Sequence, residues 1–209
     1  MVRAKICGIR RLEDALVAVE AGASAIGLNF WRPGRRYVTP ETARAIVRAL
    51  PPFVAGVGVF ADEEADVIRK IADTCGLDTL QFHGAESPEF CARFDRPVIK
   101  AIKMRDAASL RQLERYRVAA FLLDTDVPGQ VGGTGRAFDW TLARAAREFG
   151  PVILSGGLTP ENVIDAIRAA APYAVDVASG VETDGEKDPA KIRGFLARVR
   201  EWNSAEVRS

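Results

Sequence analysis

The chain has 209 residues, 48% of them hydrophobic, and its 29 basic against 28 acidic side chains leave a formal charge of +1. That length accommodates one domain with a substantial core and little room for a second, and the charge balance excludes bulk attraction to nucleic acid or membrane surfaces. No apolar run approaches the ~20 residues that span a bilayer, and the first residues carry no signal-peptide core, so a cytoplasmic location is expected.

In chain order, short apolar runs alternate with helical patterns, the mark of repeated β–α units around a parallel sheet. Strands are predicted over 3–7, 25–30, 54–60, 78–82, 98–102, 120–124, 152–154 and 174–177. Helices are predicted over 12–21, 40–50, 63–74, 87–94, 107–116, 140–149, 160–170 and 189–202. Thr39, Ser87, Thr159 and Asp188 each precede a proline, the pattern of an N-cap followed by a first-turn proline. The reading is α/β: a single-domain (β/α)8 TIM barrel over 1–203 with a C-terminal tail over 204–209. An open doubly wound sheet shares the alternation, but the stretch after the first strand reads Cys7-Gly8-Ile9-Arg10 and lacks that fold's glycine fingerprint.

In such barrels the C-terminal strand ends face the substrate. Here they supply Cys7, Asn29, His83, Asp124, Ser155 and Ser179, with Lys103 just beyond the fifth strand. Cys7 opens into Gly8, where a thiol serves as base or nucleophile if positive charge lowers its pKa; the other reading is a plain core cysteine. Cys75 and Cys91 read as core residues on helices, and the three cysteines with the sole histidine, His83, point to free thiols and no structural zinc.

Asp124 ends an apolar stretch, so its carboxyl group can retain a proton and act as general acid, or can cap the turn at Thr125; Asp126 is the weaker candidate. Two small-residue turns, 154–158 and 178–181, follow the seventh and eighth strands, where barrels of this kind hold phosphate on backbone N–H groups. Ser155, Gly156, Gly157, Ser179 and Gly180 are the expected cradle. After the second strand, Arg32, Arg35 and Arg36 can reach an anionic carboxylate or phosphate. The loop 132–135, with Gly133, reads as a lid, a further phosphate contact or plain flexible chain. His83 shares a strand face with Gln81 and either touches substrate or supports a group that does. Lys5 shares a face with Cys7; a buried ammonium needs a partner, and Asp176, on the strand closing against the first, is predicted to be it.

Seven segments occur in register over essentially the whole chain: Lys5-Ile6-Cys7-Gly8-Ile9, Arg35-Arg36-Tyr37, Gln81-Phe82-His83-Gly84, Leu122-Leu123-Asp124-Thr125, Gly132-Gly133-Thr134-Gly135, Leu154-Ser155-Gly156-Gly157-Leu158 and Val175-Asp176-Val177-Ala178-Ser179-Gly180-Val181-Glu182. Together they closely resemble the phosphoribosylanthranilate isomerase family of tryptophan biosynthesis. The resemblance implies an Amadori rearrangement of N-(5-phosphoribosyl)anthranilate to its 1-deoxyribulose isomer, without metal or organic cofactor. It implies Asp124 as general acid on the ribose ring oxygen, Cys7 as general base at C2, Arg36 on the anthranilate carboxylate, and the glycine-turn amides on the phosphate. His83 and Gly133 complete the implied substrate-binding set. The acid would be held protonated and the thiol anionic. The implied partner is a small phosphosugar, bound by a monomer or homodimer. The sugar isomerase of histidine biosynthesis performs the same rearrangement with an aspartate pair, and Cys7 argues against it. A noncatalytic phosphometabolite sensor would have lost a proton-transfer group, and both are present.

Overall fold

The protein is described by a computed structural model over residues 1–104, 106–125 and 140–206. Eight strands pair in sequence order: β1 (Arg3–Cys7), β2 (Ala25–Asn29), β3 (Ala55–Phe60), β4 (Thr79–Phe82), β5 (Val98–Met104), β6 (Ala120–Thr125), β7 (Val152–Leu154) and β8 (Ala174–Val177). All neighbours are parallel, and β8 returns to β1 to close the barrel, with Lys5 opposite Asp176 in the closing ladder. That ladder decides for the barrel over the open sheet.

Successive side chains of a strand point to opposite faces. Val57, Ile99, Ala101, Ala120, Leu122, Ile153 and Ala174 pack together inside the barrel. The strand residues of opposite facing, among them Ile6, Phe82, Phe121, Leu123 and Val175, belong to the larger core shared with the helices. Burial on both faces is why the strands read as apolar runs rather than as alternating patterns.

The covering helices are α1 (Leu12–Glu20), α2 (Pro40–Ala49), α3 (Ala65–Cys75), α4 (Pro88–Cys91), α5 (Trp140–Ala146), α6 (Val163–Ala170) and α7 (Pro189–Glu206), with a 3₁₀ segment at Ala107–Arg115. Thr39 and Ser87 act as caps, accepting from Thr42 N and Phe90 N, and Asp188 accepts from Ala190 N and Lys191 N. Among the described residues no helix is long and apolar enough to cross a membrane.

Several expected boundaries move. α4 is a single turn rather than a helix over 87–94, and the aromatic rings of Phe90 and Phe94 on either side of its end pack on Phe82. The helix expected from 160 starts at Val163: Asn162 turns its side chain back, accepting from Thr159 N at 2.8 Å and donating to Gly157 O at 2.9 Å. The tail expected over 204–209 is shortened, since α7 continues to Glu206. Asn203 is held beside the start of β1 by two bonds to the backbone of Val2, the residue before it, at 2.6 and 2.8 Å.

A hairpin absent from the sequence reading leaves the barrel after β8. Its strands β9 (Glu182–Thr183) and β10 (Glu186–Lys187) are joined by Asp184-Gly185, both in left-handed backbone at φ 51° and 83°. Asp-Gly is the favoured pair for such a two-residue turn.

Candidate active site

The inner face of β1 carries Lys5 and then, nearer the mouth, Cys7. Lys5 Nζ lies 2.7 Å from Asp176 Oδ1, with side chains 4% and 6% exposed, the ion pair the sequence predicts. Burial pulls the Lys5 ammonium down, but the charges and hydrogen bonds of Asp176 and Cys7 outweigh it and raise its pKa, so Lys5 keeps its charge. Room for the cluster comes from Gly27, opposite Cys7 in the β1–β2 ladder: a Cβ there would stand 2.8 Å from Cys7 Sγ and 3.0 Å from Lys5 Cε.

Burial pushes the Cys7 thiol above its ordinary value, and the Lys5 ammonium pulls it only part of the way back. The cation that could acidify Cys7 is already paired with Asp176, whose own charge acts on the thiol in the opposite direction.

Across the mouth, Asp124 continues the inward set of Ala120 and Leu122 on β6 and is half-buried. Its Oδ2 lies 3.4 Å from His83 Nε2, and His83 Nδ1 lies 3.4 Å from Gln81 Nε2. With the Gln81 amide assigned in that orientation it donates to Nδ1, which leaves the ring hydrogen on Nε2, facing Asp124. Gln81 Oε1 is buried with no hydrogen-bond partner among the described residues.

The two small-residue turns meet. A Cβ on Gly180 would overlap the Leu158 carbonyl oxygen and stand 3.2 Å from Thr159 Cα, so a residue without a side chain lets the turn after β8 seat against the turn after β7. Gly156 and Gly157 adopt left-handed backbone, φ 84° and 67°, which glycine enters at little cost. Ser179 opens a 3₁₀ turn, Ser179–Val181, whose first N–H groups have no partner within the turn. Neighbouring N–H groups of this kind form an anion site. Ser155 stands apart from them: its N–H donates to Leu123 O at 2.9 Å and its hydroxyl to Asp176 Oδ2 at 3.2 Å. Both donors are engaged inside the barrel, so Ser155 braces the floor beneath the cradle.

Arg36 crosses directly over the turn after Cys7. Gly8 has φ 77°, and a Cβ there would overlap Arg36 Cδ. The guanidinium is held by Glu182, with Nε donating to Oε1 at 2.6 Å and Nη2 to Oε2 at 2.9 Å. Arg35 Nη2 donates to the same Oε2 at 2.8 Å, and Lys187 Nζ to Oε1 at 2.9 Å. Burial pushes the Glu182 carboxyl up, but Arg36 and Lys187 outweigh it and bring its pKa below the ordinary glutamate value. Sequence reasoning gives Glu182 no role and does not reach Lys187; the Asp-Gly turn that sets them side by side is the signal that could have found them.

The sequence model of the family described as N-(5'phosphoribosyl)anthranilate (PRA) isomerase matches residues 4–198. The chain belongs to that family. Its similarity to individual phosphoribosylanthranilate isomerases is near end to end. The protein so named in Geobacter metallireducens is 53% identical over 201 residues, covering 96% of this chain and all (100%) of the relative. That of Desulforudis audaxviator is 55% identical over 204 residues, covering 96% and 99%. The crystal structure of the isomerase from Thermotoga maritima superposes with a TM-score of 0.89 at 44% identity, covering 96% of this chain and 100% of that one. A phosphoribosylanthranilate isomerase in complex with reduced 1-(o-carboxyphenylamino)-1-deoxyribulose 5-phosphate has a TM-score of 0.85 at 42% identity, covering 96% and 100%.

Of the residues expected at the site, Cys7, Arg36, His83, Asp124, Gly156, Gly157, Ser179 and Gly180 lie on the strand ends and loops at the C-terminal mouth. Gly133, with the rest of 132–135, and Asp126 lie outside the described residues.

Proposed function

We propose that this member of the family, an isomerase of tryptophan biosynthesis, rearranges N-(5-phosphoribosyl)anthranilate to 1-(2-carboxyphenylamino)-1-deoxyribulose 5-phosphate with Asp124 as general acid and Cys7 as general base. The observation that carries this division of roles is their placement: both continue inward-facing strand registers, from β1 and β6, at the mouth where the paired glycine turns lie. Asp124 gives its proton to the ribose ring oxygen; the ring C–O bond breaks and an imine forms. Cys7 Sγ then takes the C2 proton, leaving an enolamine that tautomerises to the ketone. Ring opening needs a donor on one side of the sugar and proton abstraction needs an acceptor on another, which the two opposed strands supply. Cys7 takes the C2 proton as the thiolate: its own proton passes first to solvent at the open mouth, a loss that the cationic imine beside it and the Lys5 ammonium below it favour against burial.

Arg36 keeps the N–H groups of Nη1 for the anthranilate carboxylate while Glu182 holds its other edge. The amides of Gly156, Gly157, Ser179 and Gly180 hold the phosphate, Ser155 supports them from below, His83 meets the sugar beside Asp124, and Gly133 adds a contact from its loop. The enzyme works in the cytoplasm on a small phosphosugar.

The test is a continuous assay of the loss of substrate fluorescence. Cys7→Ala and Asp124→Asn are each expected to lower turnover by ~10²–10⁴-fold while phosphate binding persists. Wild-type rates in both variants would end this reading.

For oligomeric state, out of monomer and homodimer, the favoured reading is a homodimer through the N-terminal face of the barrel. One structural neighbour is described as a dimeric isomerase from Thermotoga maritima. On this chain Phe53, in the loop entering β3, is 98% exposed, and a cleft of about 480 Å³ lined by Met1, Val2, Leu196 and Val199 opens at the same end. Exposed apolar surface of this kind marks association. Sedimentation should show a dimer that Phe53→Asp converts to monomer; a wild-type monomer overturns it.

A further inference from the structure

We propose that Glu182 and Lys187 are positioning residues that join the two anion-holding ends of the site, Glu182 fixing Arg36 at the carboxylate end and Lys187 fixing the peptide group of Ser179 at the phosphate end. The proposal rests on the reading of Arg36 and the cradle given above. Its basis is an unbroken run of hydrogen bonds. Arg36 Nε donates to Glu182 Oε1 at 2.6 Å, Lys187 Nζ donates to the same oxygen at 2.9 Å, and Lys187 Nζ also donates to Ala178 O at 2.8 Å. The Ala178 carbonyl and the Ser179 N–H belong to one planar peptide unit. A donor that fixes the carbonyl therefore fixes the direction in which that N–H points, and polarises it as a stronger donor.

The burial of the pair fits a device rather than a surface contact. Glu182 and Lys187 sit on a two-residue-strand hairpin outside the barrel, yet their side chains are only 5% and 3% exposed. Ionised groups are buried only when paired and hydrogen-bonded, and here every named bond of the Lys187 ammonium goes to this network. Burial draws the Lys187 ammonium below its ordinary value, and the Glu182 carboxylate opposes that.

The charge balance also fits. Three cationic groups, Arg35, Arg36 and Lys187, converge on one carboxylate. The cluster carries surplus positive charge at the mouth of a chain whose overall charge is only +1. A ligand with a carboxylate at one end and a phosphate at the other completes it. Holding both subsites before the ligand arrives removes part of the ordering cost of binding.

The experiment uses steady-state kinetics of the full chain, with inorganic phosphate as a competitive probe too small to touch Arg36 and the cradle together. Glu182→Gln is expected to raise KM about tenfold or more and to hold kcat within about threefold. It should also weaken inhibition by inorganic phosphate severalfold, although Glu182 touches no cradle amide. Lys187→Met, which keeps the apolar stem, should give the same two effects, and Lys187→Arg should restore part of the phosphate inhibition. Lys187→Met carries the test alone if Glu182→Gln does not fold. Unchanged phosphate inhibition in the folded variants, or a loss confined to kcat, overturns the link. Arg36→Ala separates the two levels: if it leaves KM unchanged, or if phosphate does not inhibit the wild type, the reading of the site fails. If Arg36→Ala raises KM and phosphate inhibits, while the Glu182 and Lys187 variants behave as wild type, only the link fails.

Discussion

Two buried lysine–carboxylate pairs stand on opposite faces of the same barrel. Lys5–Asp176, at 2.7 Å, lies inside it; Lys100–Glu86, at 2.8 Å and with side chains 3% and 2% exposed, lies outside, on the face of β5 that Val98 and Ile102 share with the helices. Chemistry, distance and burial are the same, and the remaining bonds differ. Lys100 Nζ also donates to Gly84 O at 2.7 Å, and Glu86 Oε1 accepts from Asp62 N and Gly84 N, at 2.9 and 3.2 Å, all backbone atoms of the loops at the mouth. The inner pair instead meets the Ser155 hydroxyl and the Cys7 thiol. A buried ion pair that spends its spare bonds on peptide groups shapes a loop; one that spends them on reactive side chains sets the charge of a site. The pairing by itself says little about net stability.

The largest expected effect comes from removing either lysine. Lys5→Met and Lys100→Met each strand a buried carboxylate, and urea unfolding should show losses of about 3–5 kcal/mol in both. The contrast then appears in the folded fraction, where Lys5→Met should lose turnover and Lys100→Met should keep its kcat. Equal activity losses would erase the distinction.

A smaller effect sharpens it. Asp176→Asn leaves the Lys5 charge unopposed beside Cys7, so alkylation of Cys7, followed against pH by mass spectrometry, should shift to lower pH. Glu86→Gln, on the outer pair, should leave that profile where it was.

The smallest effect concerns Glu182, a third buried carboxylate placed between the two cases, since it touches both Arg36 and a backbone-anchoring lysine. Its pKa is lowered in the folded state. Its contribution is therefore complete above the ordinary glutamate value and is lost as pH falls through the lowered one. Urea midpoints of the wild type should decline across that acid range more steeply than those of Glu182→Gln.

The inner pair was legible in the sequence and the outer pair was not. Lys5 and Asp176 lie on strands that a closed barrel must bring together, and alternation puts both on the inside with Cys7. Glu86 lies in a loop with no period to place it, so nothing along the chain aligns it with Lys100. The same limit hid Glu182 and Lys187, whose meeting depends on a hairpin in the last loop. Asp124 and the glycine turns were readable because strand ends have a defined direction in this fold. The charge state of Cys7 was the least legible feature, because it turns on a balance of burial against a cation that Asp176 also claims, and that balance exists only in three dimensions.

Gly180 carries one more consequence. The gap between the seventh and eighth loops is set by an atom that is not there: with no methyl group at that position, two stretches of main chain rest on one another. Enlarging the residue would not delete a bond but would wedge the loops apart and widen the gauge of the socket between them. The width of that gap is thus written in the smallest residue of the chain.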